Sequence, residues 1–172
     1  MNGQIAPAIA TWEQWSKTHP GNAGVYAVMG SLEEQRGDLK KAEADYRMGL
    51  QMDPTQAMCA NNLAFLLVQQ GGNLDVAMTL AQTARRGMPN SAQTADTLAW
   101  IYYNKGTYGF AHDLLEDAVK IDPNKADIQY HLGMVYAKQH DKTNATLHLK
   151  KALTLDPNGK DGKNAKAALA TL

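Results

Sequence analysis

The sequence predicts an all-α fold built from one helix pair that is repeated along the chain. Five of the six prolines are spaced by 34 or 35 residues, and they are Pro20, Pro54, Pro89, Pro123 and Pro157. A series of alanines keeps the same period: Ala42, Ala77, Ala111 and Ala145. A fixed period of this length is typical of stacked helical repeats, in which each unit buries its apolar face against its neighbours.

Residues 4–20 are expected to form a single helix that matches only the second half of a unit. Ala8 and Trp15 occupy the positions that small or apolar residues hold in later second helices. Because a repeat helix buries its apolar face only against neighbouring helices, we expect the chain to be a segment of a longer repeat protein. The apolar residues expected to form an uncovered edge are Ile5, Ile9, Trp12 and Trp15.

Four full units follow, and each is predicted to be two antiparallel helices: residues 23–56, 57–91, 92–125 and 126–159. In the third unit, Ala95, Leu98 and Tyr102 recur at helical spacing. The second helix of that unit ends at Asp122, because the residue before a proline disfavours the helical conformation. The second unit carries one extra residue near Gly71. The residues expected to end the first helices are Gly37, Gly72, Gly106 and His140.

Residues 160–172 are expected to form a capping helix. Ala165, Ala168, Leu169 and Leu172 share one helical stripe, and lysines occupy much of the remaining surface. Repeat arrays need such a polar outer face at their ends.

This pattern resembles the tetratricopeptide repeat (TPR) family. The small residues that carry the resemblance in the first helices are Gly30, Ala64, Ala99 and Gly133. Large apolar residues, such as Leu98, Tyr102 and Leu115 in the third unit, complete the pattern, and Glu33 departs from it in the first. The resemblance covers residues 23–159. It implies a right-handed superhelix of helix–turn–helix repeats and a role in protein binding.

Composition and motifs point away from several other functions. Basic and acidic residues balance at 17 each, whereas a nucleic-acid binder needs a basic surface. No apolar run approaches the length of a membrane span. The single Cys59 excludes an internal disulfide, and the five histidines lack a close metal-binding spacing. We therefore expect no enzyme activity, no metal and no cofactor.

The TPR resemblance implies that the first helices line a concave surface with one stripe of side chains each. The candidate partner-binding residues on these stripes are Asn61, Phe65, Asp96, Trp100, Tyr103, Asp127, Tyr130 and Met134. The stripes contain no Lys or Arg, so the clamp with which some TPR proteins bind a terminal carboxylate is not expected. Aromatic anchors edged by Asp96 and Asp127 predict a neutral or basic protein or peptide with apolar anchors. The alternative is that these rings pack on neighbouring helices and belong to the core.

Two other functions remain open at this point. The uncovered N-terminal edge predicts self-assembly into a homo-oligomer as one alternative. The other is a targeting segment of a larger bacterial enzyme, or of an exopolysaccharide or secretion system protein, in the cytoplasm or the periplasm.

Overall fold

The computed structural model describes residues 4–172, and in that range it contains ten α-helices and no strand. The helices are α1 Ile5–Thr18, α2 Gly24–Arg36, α3 Leu39–Met52, α4 Ala57–Gln69, α5 Leu74–Gly87, α6 Ala92–Asn104, α7 Tyr108–Ile121, α8 Ala126–Lys138, α9 Lys142–Leu155 and α10 Lys160–Leu169. The predicted all-α fold is therefore confirmed. Over the described range, no helix combines the length and the apolar character that crossing a membrane requires.

The chain forms two compact units: unit 1 ends at Met88, and unit 2 runs from Pro89 to Leu172. In unit 1, α2 packs along α3 and α4 packs along α5. In unit 2, α6 packs along α7 and α8 along α9, while α10 packs on both α8 and α9. Each unit is thus a stack of helix pairs with its own hydrophobic core.

The small residues of the repeat pattern lie where helices approach most closely. A Cβ atom on Gly30 would lie 2.4 Å from the Tyr46 ring, and one on Gly133 would lie 2.7 Å from Cγ of Leu149. Ala111 of α7 is fully buried. Because larger side chains would overlap with the facing helix, these positions accept only short ones.

The turns between paired helices require a residue in the left-handed conformation. Gly37 and Gly106 adopt it with φ of 89° and 78°, and His140 adopts it with φ of 64°. In the second repeat, residues 57–91, the left-handed residue is Gly71, not Gly72 as expected from the period. The extra residue is accommodated by placing Gly72 beyond the turn, where its N–H donates to the Leu67 carbonyl oxygen at 2.8 Å.

The N-terminal helix α1 is more covered than the sequence predicts. Ile9 is buried, and Ile5, Trp12 and Trp15 are half-buried, because α1 packs against α2 within unit 1. The expectation of a fully uncovered apolar edge is therefore wrong for Ile9.

Candidate partner-binding surface

The eight candidate residues fall on three helices in two units. Asn61 and Phe65 lie on α4 in unit 1. The other six lie in unit 2, with Asp96, Trp100 and Tyr103 on α6 and Asp127, Tyr130 and Met134 on α8. Each group is described within its own unit.

Trp100 is the centre of a stack of three rings in unit 2. The Tyr103 ring lies parallel to it with centroids 4.5 Å apart, and the His131 ring lies parallel at 3.9 Å. Two rings this close to one centroid would overlap if they shared a face, so they cover opposite faces of the indole. Trp100 is therefore stacked on both faces, and its side chain is half-buried.

Asp96 is a buried partner of this stack and does not lie on an exposed rim. Its side chain is fully buried, and its Oδ1 lies 2.7 Å from Nδ1 of His131. Burial raises the pKa of Asp96, while the neighbouring His131 lowers it. The expectation that Asp96 edges an open surface is therefore wrong. It is a buried positioning group that orients the His131 ring against Trp100.

Tyr130 and Met134 are half-buried and pack against the cluster that joins α8, α9 and α10. The Tyr130 ring also lies 6.1 Å from the Trp100 ring at an angle of 51°. Burial raises the pKa of Tyr130 and raises that of Tyr103 to about 12. The rings are thus partly core and partly surface, between the two interpretations that the sequence left open.

Two further carboxylates face the same part of unit 2. Asp127 lies in the first turn of α8, and its Oδ1 accepts the backbone N–H of Ile128 at 2.9 Å. Asp161 lies in the first turn of α10 and interacts electrostatically with His131 and Asp127. Burial raises the pKa of Asp161, and the charge of Asp127 adds to that shift.

On α4, the candidate pair differs in exposure. Phe65 is half-buried, whereas Asn61 is only 4% exposed. The Asn61 amide donates from Nδ2 to Oδ1 of Asn62 at 3.3 Å. Its own Oδ1 is buried and has no hydrogen-bond partner among residues 4–172.

The departure from the family pattern at Glu33 is a buried charge in unit 1. The Glu33 side chain is fully buried between Arg36 Nη2 at 2.6 Å and Lys41 Nζ at 2.8 Å. Lys41 also reaches Glu13 of α1 at 3.3 Å. This cluster joins three helices of unit 1, so its role is cohesion of that unit.

Two observations concern metal-binding side chains and the single thiol of the described residues. No group of three His, Cys, Asp or Glu side chains in residues 4–172 could hold a metal ion. Cys59 is buried, and burial raises the pKa of its thiol to about 12, which disfavours the reactive thiolate.

Sequence reasoning missed His131 and Asp161. The repeat spacing of the sequence indicates the position of both residues. His131 stands 35 residues after Asp96, which is one period plus one residue, and adjacent first helices bring such positions together. Asp161 repeats the early acidic position of Asp127 after 34 residues, in the capping helix.

The comparisons with known proteins agree with this architecture. Tetratricopeptide repeat models match residues 23–56 and 97–160, which together exceed half of the chain. A TPR repeat-containing protein of Pseudomonas aeruginosa is 26% identical over 132 residues, which cover 77% of this chain and 22% of that protein. The chain therefore spans about a fifth of the length of that curated relative.

Two solved structures share the fold. A chain of the APC/C hetero-tetramer Cut9–Hcn1 matches 98% of this chain with a TM-score of 0.81 and 20% identity, over 34% of its own length. YrrB, described as a TPR protein with an unusual peptide-binding site, matches 95% of this chain and 84% of its own, with a TM-score of 0.66 and 20% identity. With the helix pairs and buried small residues described above, the chain belongs to the tetratricopeptide repeat family.

Proposed function

We propose that the chain is a non-catalytic protein-interaction module that binds a peptide or helical segment of a partner protein. The observation that carries this proposal is the group of partly exposed rings on α6 and α8 of unit 2: Trp100, Tyr103 and Tyr130. The core-facing side of the same helices is filled by other, fully buried residues, such as Ile101 and Leu132. Tyr103 and Tyr130 therefore pack against the core of unit 2 on one side and leave part of their surface uncovered.

These rings have the properties of binding anchors. Tyr and Trp dominate the energetics of protein interfaces because they bury a large area with few rotatable bonds. The stack of Tyr103, Trp100 and His131 already fixes the ring positions, which lowers the entropy cost of binding. A partner would contact the Trp100 edge, the exposed part of Tyr130 and Met134.

The charges near the rings favour a neutral or basic partner with apolar anchors. The stripe residues of α6 and α8 include Asp127 and no Lys or Arg. A segment with a free carboxylate would be repelled, because like charges across an interface disfavour association. In unit 1, the half-buried Phe65 would form a separate contact point for a partner, whereas the amide of Asn61 is too buried to contribute.

The relatives support this reading. YrrB is described as having a peptide-binding site, and the Cut9–Hcn1 structure is a hetero-oligomer. Both share the fold of this chain, and helical repeats of this kind commonly provide extended binding surfaces.

A random peptide display library tests the proposal. The wild-type chain is expected to select peptides whose binding falls by at least about 2 kcal/mol in the Trp100→Ala, Tyr130→Ala double variant. Because Trp100 is packed on both faces, the double variant could lose stability. Tyr130→Leu therefore serves as a second variant that keeps an apolar side chain against the α10 cluster.

Phe110→Ala is the matched control. Phe110 belongs to the same unit, is 64% exposed and stacks only on Tyr102 among its ring contacts in the described residues. Its loss should leave peptide affinity unchanged. Recovery of no binding peptides, or equal binding by the folded Tyr130→Leu variant, would contradict the proposal.

A further inference from the structure

We infer that the chain associates head to tail, with the capping helix α10 of one copy packing on helix α1 of a second copy. In this contact α10 takes the place of a first helix and α1 takes the place of a second helix, so that the two complete one more helix pair. This assembly goes beyond the proposed function, since it holds whatever peptide the rings of unit 2 bind.

The packing of α10 within its own chain is that of a first helix. The first helix α4 packs on the two helices that precede it, α2 and α3, and α8 packs in the same way on α6 and α7. Helix α10 packs likewise on α8 and α9. Within residues 4–172, α10 is therefore a first helix without a paired second helix.

The packing of α1 is that of a second helix. The second helices α3 and α7 pack on the first helices that follow them, α4 and α8, and α1 packs in this way on α2. The second helices α3, α5, α7 and α9 also pair with the first helix that precedes each of them. In the described range, α1 is a second helix without that partner.

One pair of positions marks the contact between the two helices of a pair. In α2 and α3 these positions hold Gly30 and Tyr46, where a Cβ atom on the glycine would lie 2.4 Å from the ring. The equivalent residues in the other three pairs are Ala64 and Ala81, Ala99 and Leu115, and Gly133 and Leu149. All of these residues are buried, so each complete pair covers this contact.

The equivalent residues of α10 and α1 are uncovered. Ala167 of α10 stands 34 residues after Gly133 and is exposed. Trp12 of α1 stands 34 residues before Tyr46 and is only half-buried. Ala8 of α1 is also half-buried, whereas the alanines at its position in the later second helices are fully or almost fully buried. Two faces that the complete pairs bury against each other are thus open on these two helices.

The sizes of the side chains on the two open faces suit each other. Trp15 of α1 stands where the second helices α5, α7 and α9 carry the small residues Ala84, Ala118 and Ala152. Helix α10 carries Ala170 where the first helix α8 carries Tyr136. Large residues on both helices would crowd the contact, so the tryptophans of α1 favour a partner helix with short side chains. Helix α10 of a second copy meets this requirement.

Charge adds to the preference for α10. Its exposed face carries Lys163 and Lys166, and a lysine ammonium group is attracted to the face of an indole ring. Glu13 lies next to Trp12 and reaches Lys41 at 3.3 Å, while 44% of its side chain stays exposed. A lysine of α10 can therefore approach an aromatic ring and a carboxylate on the same face of α1.

A contact between two different surfaces does not close at a dimer. After two copies have joined, one α1 face and one α10 face are still open, so further copies add and form a chain or a ring. In sedimentation, the average mass of the wild-type chain is expected to rise with concentration beyond that of a dimer.

Two complementary variants test the assignment of the two faces. Ala167→Arg blocks the α10 face and Trp12→Arg blocks the α1 face, and each should weaken self-association at least about tenfold. Mixed in equal amounts, the two variants should form a dimer that does not grow. The Trp12→Arg copy then supplies α10, and the Ala167→Arg copy supplies α1.

Thr143→Arg is the matched control. It places the same side chain at an exposed position of α9, so it should associate as the wild type does. Circular dichroism checks the fold of each variant. Because Ala167 is exposed, the Ala167→Arg variant is expected to stay folded and to keep the test decisive even if Trp12→Arg unfolds.

Three results would overturn the head-to-tail contact. A wild-type chain that stays monomeric up to about 1 mM would show that the α1 face takes another segment or another protein. Self-association of Ala167→Arg equal to that of the wild type would remove α10 from the contact. A mixture of the two variants that forms no dimer would exclude the pairing of α1 with α10. None of these results affects the proposed function, which the display library tests on the monomeric chain.

Discussion

Among the described residues, each unit buries one carboxylate completely, and the two are neutralised in different ways. In unit 1, Glu33 lies between Arg36 and Lys41, whose side chains are about 40% exposed. In unit 2, Asp96 has one partner, His131, which is itself buried and stacked on Trp100. Unit 1 thus matches its buried charge with two flexible cations, whereas unit 2 matches it with one rigid ring.

The difference separates cohesion, which the charges support in unit 1, from the recognition that we propose for unit 2. Lys41 connects Glu33 of α2 with Glu13 of α1, so the charges of unit 1 act between its own helices. In unit 2, Asp96 is bonded to the His131 ring, and that ring stacks on Trp100. Asp161 also interacts electrostatically with His131. The same element, a buried acid in a first helix, therefore stabilises a helix contact in one unit and positions a surface ring in the other.

The largest expected effect is the loss of His131. His131→Leu leaves Asp96 buried without its partner, and we expect it to destabilise unit 2 by about 3 kcal/mol in chemical denaturation. Adding Asp96→Leu should restore most of that stability, because apolar residues replace buried ion pairs at little cost.

His112→Leu is the control for this change. His112 is part-exposed, with its Nε2 3.2 Å from the Tyr136 hydroxyl, so its loss should cost less than about 1 kcal/mol. Equal destabilisation by His112→Leu and His131→Leu would show that the buried Asp96–His131 pair contributes no more to stability than the part-exposed contact of His112.

A smaller effect is expected when Lys41 is replaced in unit 1. Lys41→Met leaves Glu33 with Arg36 alone and removes the link to Glu13, which should cost about 2 kcal/mol. Amide exchange should quicken most in α1. Lys40→Met, an exposed neighbour, is the control and should be nearly neutral. Exchange in α1 that does not change would refute the assigned role of the charge cluster.

The smallest effect concerns Asp45 of α3. Burial raises the pKa of Asp45 from 3.8 to about 6, and Glu33, Glu13 and Asp38 add to the shift. A carboxyl with a raised folded pKa destabilises the fold once it ionises, so this contribution worsens as pH rises from about 4 to about 6 and is constant above. Asp45→Asn should therefore stabilise unit 1 by about 1 kcal/mol near pH 8, after allowance for solvent screening.

The gain from Asp45→Asn should vanish at about pH 2.5, which is below the pKa of the wild-type carboxyl in both the folded and the unfolded state, because the carboxyl is then protonated in both. Thermal denaturation at the two pH values measures the difference. A gain of the same size at both values would assign the effect to something other than the charge of Asp45.

The sequence was sufficient for the fold because its signals are local and repeated. The proline ladder and small residues such as Gly30 and Gly133 mark each helix end and each close contact. The extra residue at Gly71 shifted one turn, since a period alone does not decide which of two adjacent glycines takes the left-handed conformation.

The candidate surface was harder to predict because it depends on contacts between repeats. The position of a residue in the stripe predicts the direction of its side chain but not whether other residues cover it. Asp96 is expected at the rim from its position, but its side chain is fully buried and bonded to His131. Trp100 was expected to be an open anchor, whereas both its faces are occupied. The packing of neighbouring helices, not the residue type, decides whether a side chain in the stripe is buried or exposed.

The most direct test of the account compares one variant from each unit for stability and for affinity toward a library-selected peptide. Tyr130→Leu should weaken binding about tenfold in calorimetric titration and change stability little. Lys41→Met should lower stability by about 2 kcal/mol and leave the affinity of the folded protein unchanged. The reverse assignment, with affinity lost through Lys41 and retained without the Tyr130 ring, would contradict the separation of cohesion in unit 1 from recognition in unit 2.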